Sequence, residues 1–185
     1  MTIPGRSRPP VPADRITHPI EPVFDRDSRV LILGTMPSPR SRDAGFYYMH
    51  PGNRFWPVLA AVFEPRRYEE GLIPSTLTER RAFALSHGIA LWDVLASCSI
   101  RGAEDGSIRD PVANDLDRIL LQAPIRGIFT TGRTAHRLYE HLCEPRTGRK
   151  AWLLPSPSGA NCAIGMGQLR EAYMALLATA GEDGR

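Results

Sequence analysis

The chain has 185 residues, 42% of them apolar and 23% charged, with a net charge of +3. That is enough for one α/β domain with a substantial core and too little for two. Its three isolated cysteines argue against a disulfide framework, a zinc ribbon or an iron–sulfur cluster, and no apolar run approaches the ~20 residues of a membrane span.

Residues 1–22 are rich in Pro and Arg and poor in apolar side chains. They are expected to form a mobile arm or a length of coil laid over the domain, with 23–185 folding as one unit. They contain no apolar signal-peptide core. With the sparse cysteines the expectation is a cytoplasmic protein; a monomer with no metal and no cofactor is also expected. Arg29–Leu33 is a short apolar run ended by Gly34, the pattern of a strand buried on both faces. Pro37 and Pro39 are expected to keep a helix from starting at once. Aromatic residues and His50 follow, then Asn53 before the periodic Phe55, Trp56, Leu59, Ala60 and Phe63, which predicts a helix from about Asn53 to Phe63.

A second helix is predicted over Leu77–Ser86 with Ser75 as its cap, and Ile89–Leu95 reads as a strand interrupted by Asp93. Ala96–Asp110 reads as a long loop, and Pro111 as the opening of a helix carrying Leu116, Ile119, Leu120 and Leu121. Ile125–Thr130 predicts a third strand, followed by a helix through Leu142 capped by Thr131 or Thr134. Ala151–Leu154 predicts a fourth, and the last helix spans Met166 to about Ala178. Strands alternating with helices predict a three-layer α/β/α sandwich around a mainly parallel four-stranded sheet. Loops 34–53, 93–110 and 155–163 then meet at the carboxyl edge of the sheet, where ligands bind in such folds.

Several chemistries are weakly supported. The first loop lacks the phosphate-loop pattern and its lysine, and neither a dinucleotide fingerprint nor a nucleophile elbow is present. Cys98 lies in the second loop, where a buried inert thiol is the plainer reading. Lys150 is the sole lysine, so a Schiff-base mechanism has one candidate, at the start of a predicted strand. The arginine excess fits either a coding bias or a surface for phosphates. His50 reads as a general acid or base, or as a group that fixes its loop beside Pro51. Asn53 reads as a helix cap or as an amide that positions a water. Asp93 either caps backbone amides or accepts an N–H from a ligand. Tyr47 and Tyr48 either pack the loop or stack on a planar base.

Gly34-Thr-Met-Pro, followed by Phe46-Tyr-Tyr-Met-His-Pro-Gly-Asn-Arg-Phe-Trp56, resembles the first motif of the uracil-DNA glycosylase superfamily, most of all its hypoxanthine (deoxyinosine) branch. Gly88-Ile-Ala-Leu-Trp-Asp-Val-Leu-Ala-Ser-Cys98, Ser107-Ile-Arg and Asn114-Asp resemble that branch too, and Leu154-Pro-Ser-Pro-Ser-Gly-Ala-Asn161 resembles the second motif. The likeness spans roughly residues 22–178. It implies a uracil-DNA glycosylase-like fold and removal of a deaminated base, hypoxanthine or uracil, from double- or single-stranded DNA as the first step of base excision repair.

Carried over by position, it implies Asn53 as catalytic; His50, a polar residue at the far end of the same loop, is a second candidate to share the work. Tyr48, Asp93, Tyr47, Gly34 and Met36 would surround the base. Ser156, Pro157, Ser158 and Asn161 would grip DNA, with Arg40 and Arg42 nearby. Met36 stands where many members place a catalytic Asn or Asp, and Leu154 where the uracil enzymes have a histidine. No bulky wedge residue is evident after Ser156. A nucleic-acid-binding module without catalysis, or a nucleotide N-glycosidic hydrolase, remains an alternative on the same fold.

Overall fold

The computed structural model describes residues 14–181. In chain order its strands are Asp14–Thr17 (β1), Val30–Gly34 (β2), Ile89–Asp93 (β3), Leu95–Ile100 (β4), Arg109–Ala113 (β5), Gly127–Thr131 (β6) and Ala151–Leu154 (β7). The helices are Pro39–Ala44 (α1), Phe55–Phe63 (α2), Pro65–Glu69 (α3), Leu77–Ser86 (α4), Asp117–Leu120 (α5), Arg133–Leu142 (α6), Glu144–Thr147 (α7) and Met166–Ala180 (α8), with a 3-10 turn at Asp105–Ser107.

β2 is buried at every position, so it needs partners on both edges and layers on both faces. It pairs in parallel with β3 on one side and β6 on the other, and β7 extends the sheet beyond β6. The order β3-β2-β6-β7 is the expected four-stranded parallel sheet flanked by helices. α4 lies against β3, α6 against β6 and β7, and α8 against α2 and β2. The chain leaves β2 toward β3 and later returns past β2 to β6. The crevice at the carboxyl ends of β2 and β6 is therefore a topological switch point.

A second, three-stranded antiparallel sheet, β1-β4-β5, was not expected. It corrects two readings of the sequence. Residues 96–110 are not one long loop, and Pro111 does not open a helix. Pro111 lies within β5, on the outer edge of that sheet, where a missing N–H breaks no ladder.

Residues 1–13 of the expected arm lie outside the described residues, but its later part is a strand, because β1 pairs with β4 from Asp14↔Ile100 to Thr17↔Ser97. Val23 then bridges Leu91 through two backbone hydrogen bonds and covers the free edge of β3. The prolines after β2 start a helix rather than delay one. Ser38 caps α1 by accepting from the Ser41 N–H, and Pro39 sits at the first helical position, where its fixed φ suits the turn. Among the described residues no helix is long and apolar enough to cross a membrane.

At the start of α4 the cap is Thr76 rather than Ser75, in a reciprocal box with Glu79. The Thr76 and Ser75 N–H groups, aided by the Ser75 hydroxyl, hold the Glu79 carboxyl down at about 2, against an ordinary 4.5. A depressed carboxyl stabilises the fold above its unfolded pKa and loses that contribution as pH falls through the folded one. Glu79→Gln should thus be less stable than the wild type above about pH 4.5, with the two converging near pH 2, as read by urea titrations across that range.

Candidate active site

A cavity of about 570 Å³ opens at the carboxyl ends of β2, β3 and β6. The three predicted loops line it, contributing Gly34, Met36, Tyr47, Tyr48, His50, Asn53, Asp93, Ser156, Pro157 and Ser158. Arg40, Arg42 and Asn161 are not in its lining. The two arginines sit on α1, whose neighbours Ser38 and Ser41 do line it, and the Arg42 guanidinium donates to the Pro37 carbonyl at 2.9 Å. Asn161 Nδ2 donates to the Ser156 carbonyl at 3.0 Å, so this side chain shapes its own loop.

The floor is built by strand register. Gly34 on β2 lies directly beside Asp93 on β3, and a Cβ at Gly34 would run into Asp93 Oδ1. The other carboxylate oxygen, Oδ2, accepts from His18 Nε2 at 2.8 Å, with the two side chains 2% and 6% exposed. His18 Nδ1 accepts from the Ile20 N–H, which places the ring proton on Nε2, facing the carboxylate. His18 escaped the sequence reading because it stands alone between Thr17 and Pro19, in a segment without periodicity.

Tyr48 is a bulky residue at φ 56, a left-handed conformation that costs about 1–2 kcal/mol for a side chain of this kind. Its ring stacks on Phe55, with centroids 3.6 Å apart and planes at 13°, which leaves only the opposite face for another planar group. The Tyr48 hydroxyl meets Thr131 Oγ1 at 3.2 Å, and Thr131 donates onward to the Leu33 carbonyl, so the phenol supplies the proton to Thr131. Burial first, and then the charge of Asp93, hold both Tyr47 and Tyr48 far above the ordinary phenol range. Tyr47 spends its hydroxyl on the carbonyls of Ile20 and Glu21, tying the loop to the N-terminal segment.

The N-cap residue of α2 is Arg54 rather than Asn53, but from one position earlier Asn53 Oδ1 accepts from the Phe55 N–H at 2.9 Å, at the first turn of the helix. That bond orients the amide: Oδ1 serves the helix, and the Nδ2 donors are left over. His50 is exposed, its Nδ1 accepts from the Gly52 N–H, and its carbonyl accepts from the Asn53 N–H, which favours the loop-fixing reading.

Arg54 holds the first and third loops together. Its N–H donates to the Pro157 carbonyl at 2.9 Å, and its guanidinium donates to the carbonyls of Ile164 at 2.5 Å, Asn161 at 2.8 Å and Ser158 at 3.2 Å. A Cβ at Gly159 would lie 2.5 Å from the Gly52 carbonyl oxygen, so the two loops touch backbone to backbone. Ser156 Oγ and Ser158 Oγ accept from the N–H groups of Ser158 and Ala160, leaving both hydroxyl protons available to an anion. Arg54 was within the motif but not singled out.

Asp105, in the 3-10 turn after β4, is a second cavity carboxylate that the sequence reading did not single out. Its Oδ2 accepts from Thr35 Oγ1 at 2.9 Å. Burial is the main cause raising its pKa; the Thr35 hydrogen bond opposes the shift and the charge of Asp93 adds to it.

The model of the "Uracil DNA glycosylase superfamily" matches residues 21–177. A protein named hypoxanthine DNA glycosylase from Methanosarcina acetivorans is 34% identical over 141 residues, 75% of this chain and 84% of that one. Its namesake from Methanosarcina barkeri is 31% identical, covering 76% of this chain and 85% of its own. The solution NMR structure of a Methanosarcina acetivorans protein, provisionally assigned as a uracil DNA glycosylase, superposes with a TM-score of 0.68 at 28% identity. That likeness covers 85% of this chain and 96% of the other.

Removing His18 would leave a buried carboxylate without its donor. His18→Ala should destabilise the protein by about 2 kcal/mol, the scale of a lost hydrogen bond to a buried charge. The double variant with Asp93→Ala should lose clearly less than the two single losses combined. Chemical denaturation of the four proteins measures the coupling, and additive losses would deny it.

Proposed function

The chain belongs to the uracil DNA glycosylase superfamily, and from that membership we propose that it is a monofunctional DNA glycosylase that hydrolyses the N-glycosidic bond of a deaminated base, hypoxanthine first and uracil as the alternative. The observation that carries this reading is the cavity itself. It gathers a buried carboxylate at a strand end, an aromatic ring with one face covered and two serine hydroxyls with unspent protons. The cavity is sized for a base and not for a duplex, so the lesion nucleotide must be flipped out to enter it.

In this reading the base slides onto the open face of Tyr48, and Asp93 accepts the N1–H of hypoxanthine. Adenine has a lone pair at that position and meets the carboxylate with repulsion, while the N3–H of uracil would satisfy it equally well. The positive end of α2 and the Nδ2 donors of Asn53 lie where the departing base gathers negative charge. Ser156 and Ser158 take the phosphates. Lys150 is absent from the cavity lining, which supports water rather than an amine as the nucleophile.

Incubation with oligonucleotides carrying a single inosine, uracil, xanthine or thymine mismatch, single- and double-stranded, tests the reading. Release from inosine-containing DNA is expected to be fastest. Release from free nucleosides alone would favour the nucleotide hydrolase, and binding without release the catalytically silent module.

Two sets of variants test the assignments. Asn53→Asp keeps an oxygen for the Phe55 N–H but loses the amide donors, so it should fold normally and excise about 100-fold more slowly, the size of one lost transition-state donor. Asn53→Ala should add ~1 kcal/mol of lost capping. Single-turnover rates beside melting curves decide, and a rate loss that merely follows stability would reduce Asn53 to a cap. For Tyr48, alanine should weaken lesion binding by about 1–3 kcal/mol and phenylalanine far less. Equal losses in the two would assign the effect to the hydroxyl.

A further inference from the structure

We propose that Asp105 is the carboxylate that accepts the proton of the attacking water, taking the place left vacant by Met36 at the end of β2. The assignment rests on the glycosylase reading above and deepens it. A hydrolytic mechanism needs an acceptor for the water proton, and the polar groups of the cavity can be taken one by one. Met36 offers only a thioether, which accepts hydrogen bonds weakly. Asn53 has committed Oδ1 to the start of α2 and presents donors. Asp93 is bound to His18 on one oxygen and pressed against the Gly34 backbone with the other, at the floor where the base edge is read. His50 has its Nδ1 engaged by the Gly52 N–H, so its neutral ring presents a donor at Nε2.

Asp105 is the carboxylate that remains. The turn between β4 and β5 carries it into the cavity, and Thr35, the residue directly before Met36, donates to its Oδ2. The hydroxyl thus ties a carboxylate to the residue next to the position where the first motif lacks one. Among the described residues no cation lies within ion-pair distance of Asp105, and Oδ1 has no hydrogen-bond partner, so that oxygen is open to a water.

Burial raises the pKa of Asp105 from its ordinary value, against the opposing Thr35 hydrogen bond, which makes it a better proton acceptor than a solvent-exposed aspartate. The step balances simply. The water oxygen bonds to C1′ as its proton passes to Asp105 Oδ1. The bond from C1′ to the base nitrogen breaks, and its electron pair leaves with the base. The base takes a proton from solvent, and Asp105 later returns its own.

The test uses the full chain and a duplex carrying one deoxyinosine. Asp105→Asn should keep its affinity for that duplex, measured by fluorescence anisotropy, while single-turnover excision falls about 100-fold or more, the usual worth of a general base. Asp105→Glu should recover part of the rate. The wild-type rate should rise with pH through the titration of a carboxyl group, and that limb should vanish in Asp105→Asn. The ionisable groups near Asp105 are Asp93, with its partner His18, and Cys98 on β4; Tyr47, Tyr48 and His50 line the same cavity, and all of them persist in the variant.

An Asn variant as fast as the wild type, or one that loses duplex binding along with rate, overturns the assignment. Should that variant fail to fold, Thr35→Val leaves the carboxylate but removes its orienting donor. Slowed excision with unchanged affinity then supports the role, and an unchanged rate overturns it. A wild-type protein that releases no base from any lesion fails the glycosylase reading itself, whereas an active wild type beside an equally active variant fails this assignment alone.

Discussion

The missing side chain at Gly34 is the constraint on which the cavity depends. Parallel pairing sets Gly34 beside Asp93, and the carboxylate occupies the space that any Cβ would take. A charge buried at that depth is tolerated only with a partner, and His18 supplies one from a distant segment. Burial, and after it the same charge, keeps the neighbouring phenols protonated, so Tyr47 and Tyr48 act as donors and as surfaces rather than as bases. One omitted methyl group thereby fixes the polarity of the floor and the need for the N-terminal segment.

The walls obey a second requirement, that three separate loops hold one shape before any ligand arrives. Arg54 meets it for the first and third loops, with a guanidinium shared among three carbonyls and a backbone N–H given to a fourth. Glycines at 52 and 159 let the loops touch. Gly132, at φ 96, passes close beneath Ser156, and the buried Tyr173 on α8 donates to the Pro155 carbonyl. None of these groups has to contact a ligand. They set the separation between the aromatic side of the cavity and its serine side, and such preorganisation is where much of an active site's binding energy originates.

Much of this was legible in the sequence. β2 and β7 announce themselves as apolar runs closed by Gly34 and Pro155, and α4 and α8 by their periodicity; the run Ile89–Leu95 reads as one strand, but β3 ends at Asp93 and Leu95 already belongs to β4 of the other sheet. The three loops were placed at one edge because alternating strands and helices leave few other topologies. The β1-β4-β5 sheet was not legible. Its strands carry Asp, Arg, Ser and Pro, half exposed, and each exists because of partners far away in the chain. His18 and Asp105 were missed for the same reason, since a lone His or Asp acquires meaning only from what faces it. Asn53 was read as both cap and catalyst, and geometry sharpened that ambiguity by showing which of its atoms the cap consumes.

The link between His18 and Asp93 also bears on how the protein is made. The two residues lie 75 positions apart, and β1 has no sheet to join until β4 exists. At a synthesis speed of ~5–20 residues per second, the histidine waits roughly 4–15 seconds for its carboxylate after leaving the ribosome's catalytic centre. During that interval β1 has nothing to pair with, and the central strand β2 emerges without either neighbour. The floor of the cavity is therefore a late product of folding, assembled only after about half the protein has been translated, and a nascent chain cut short before β4 would hold neither the second sheet nor a finished site.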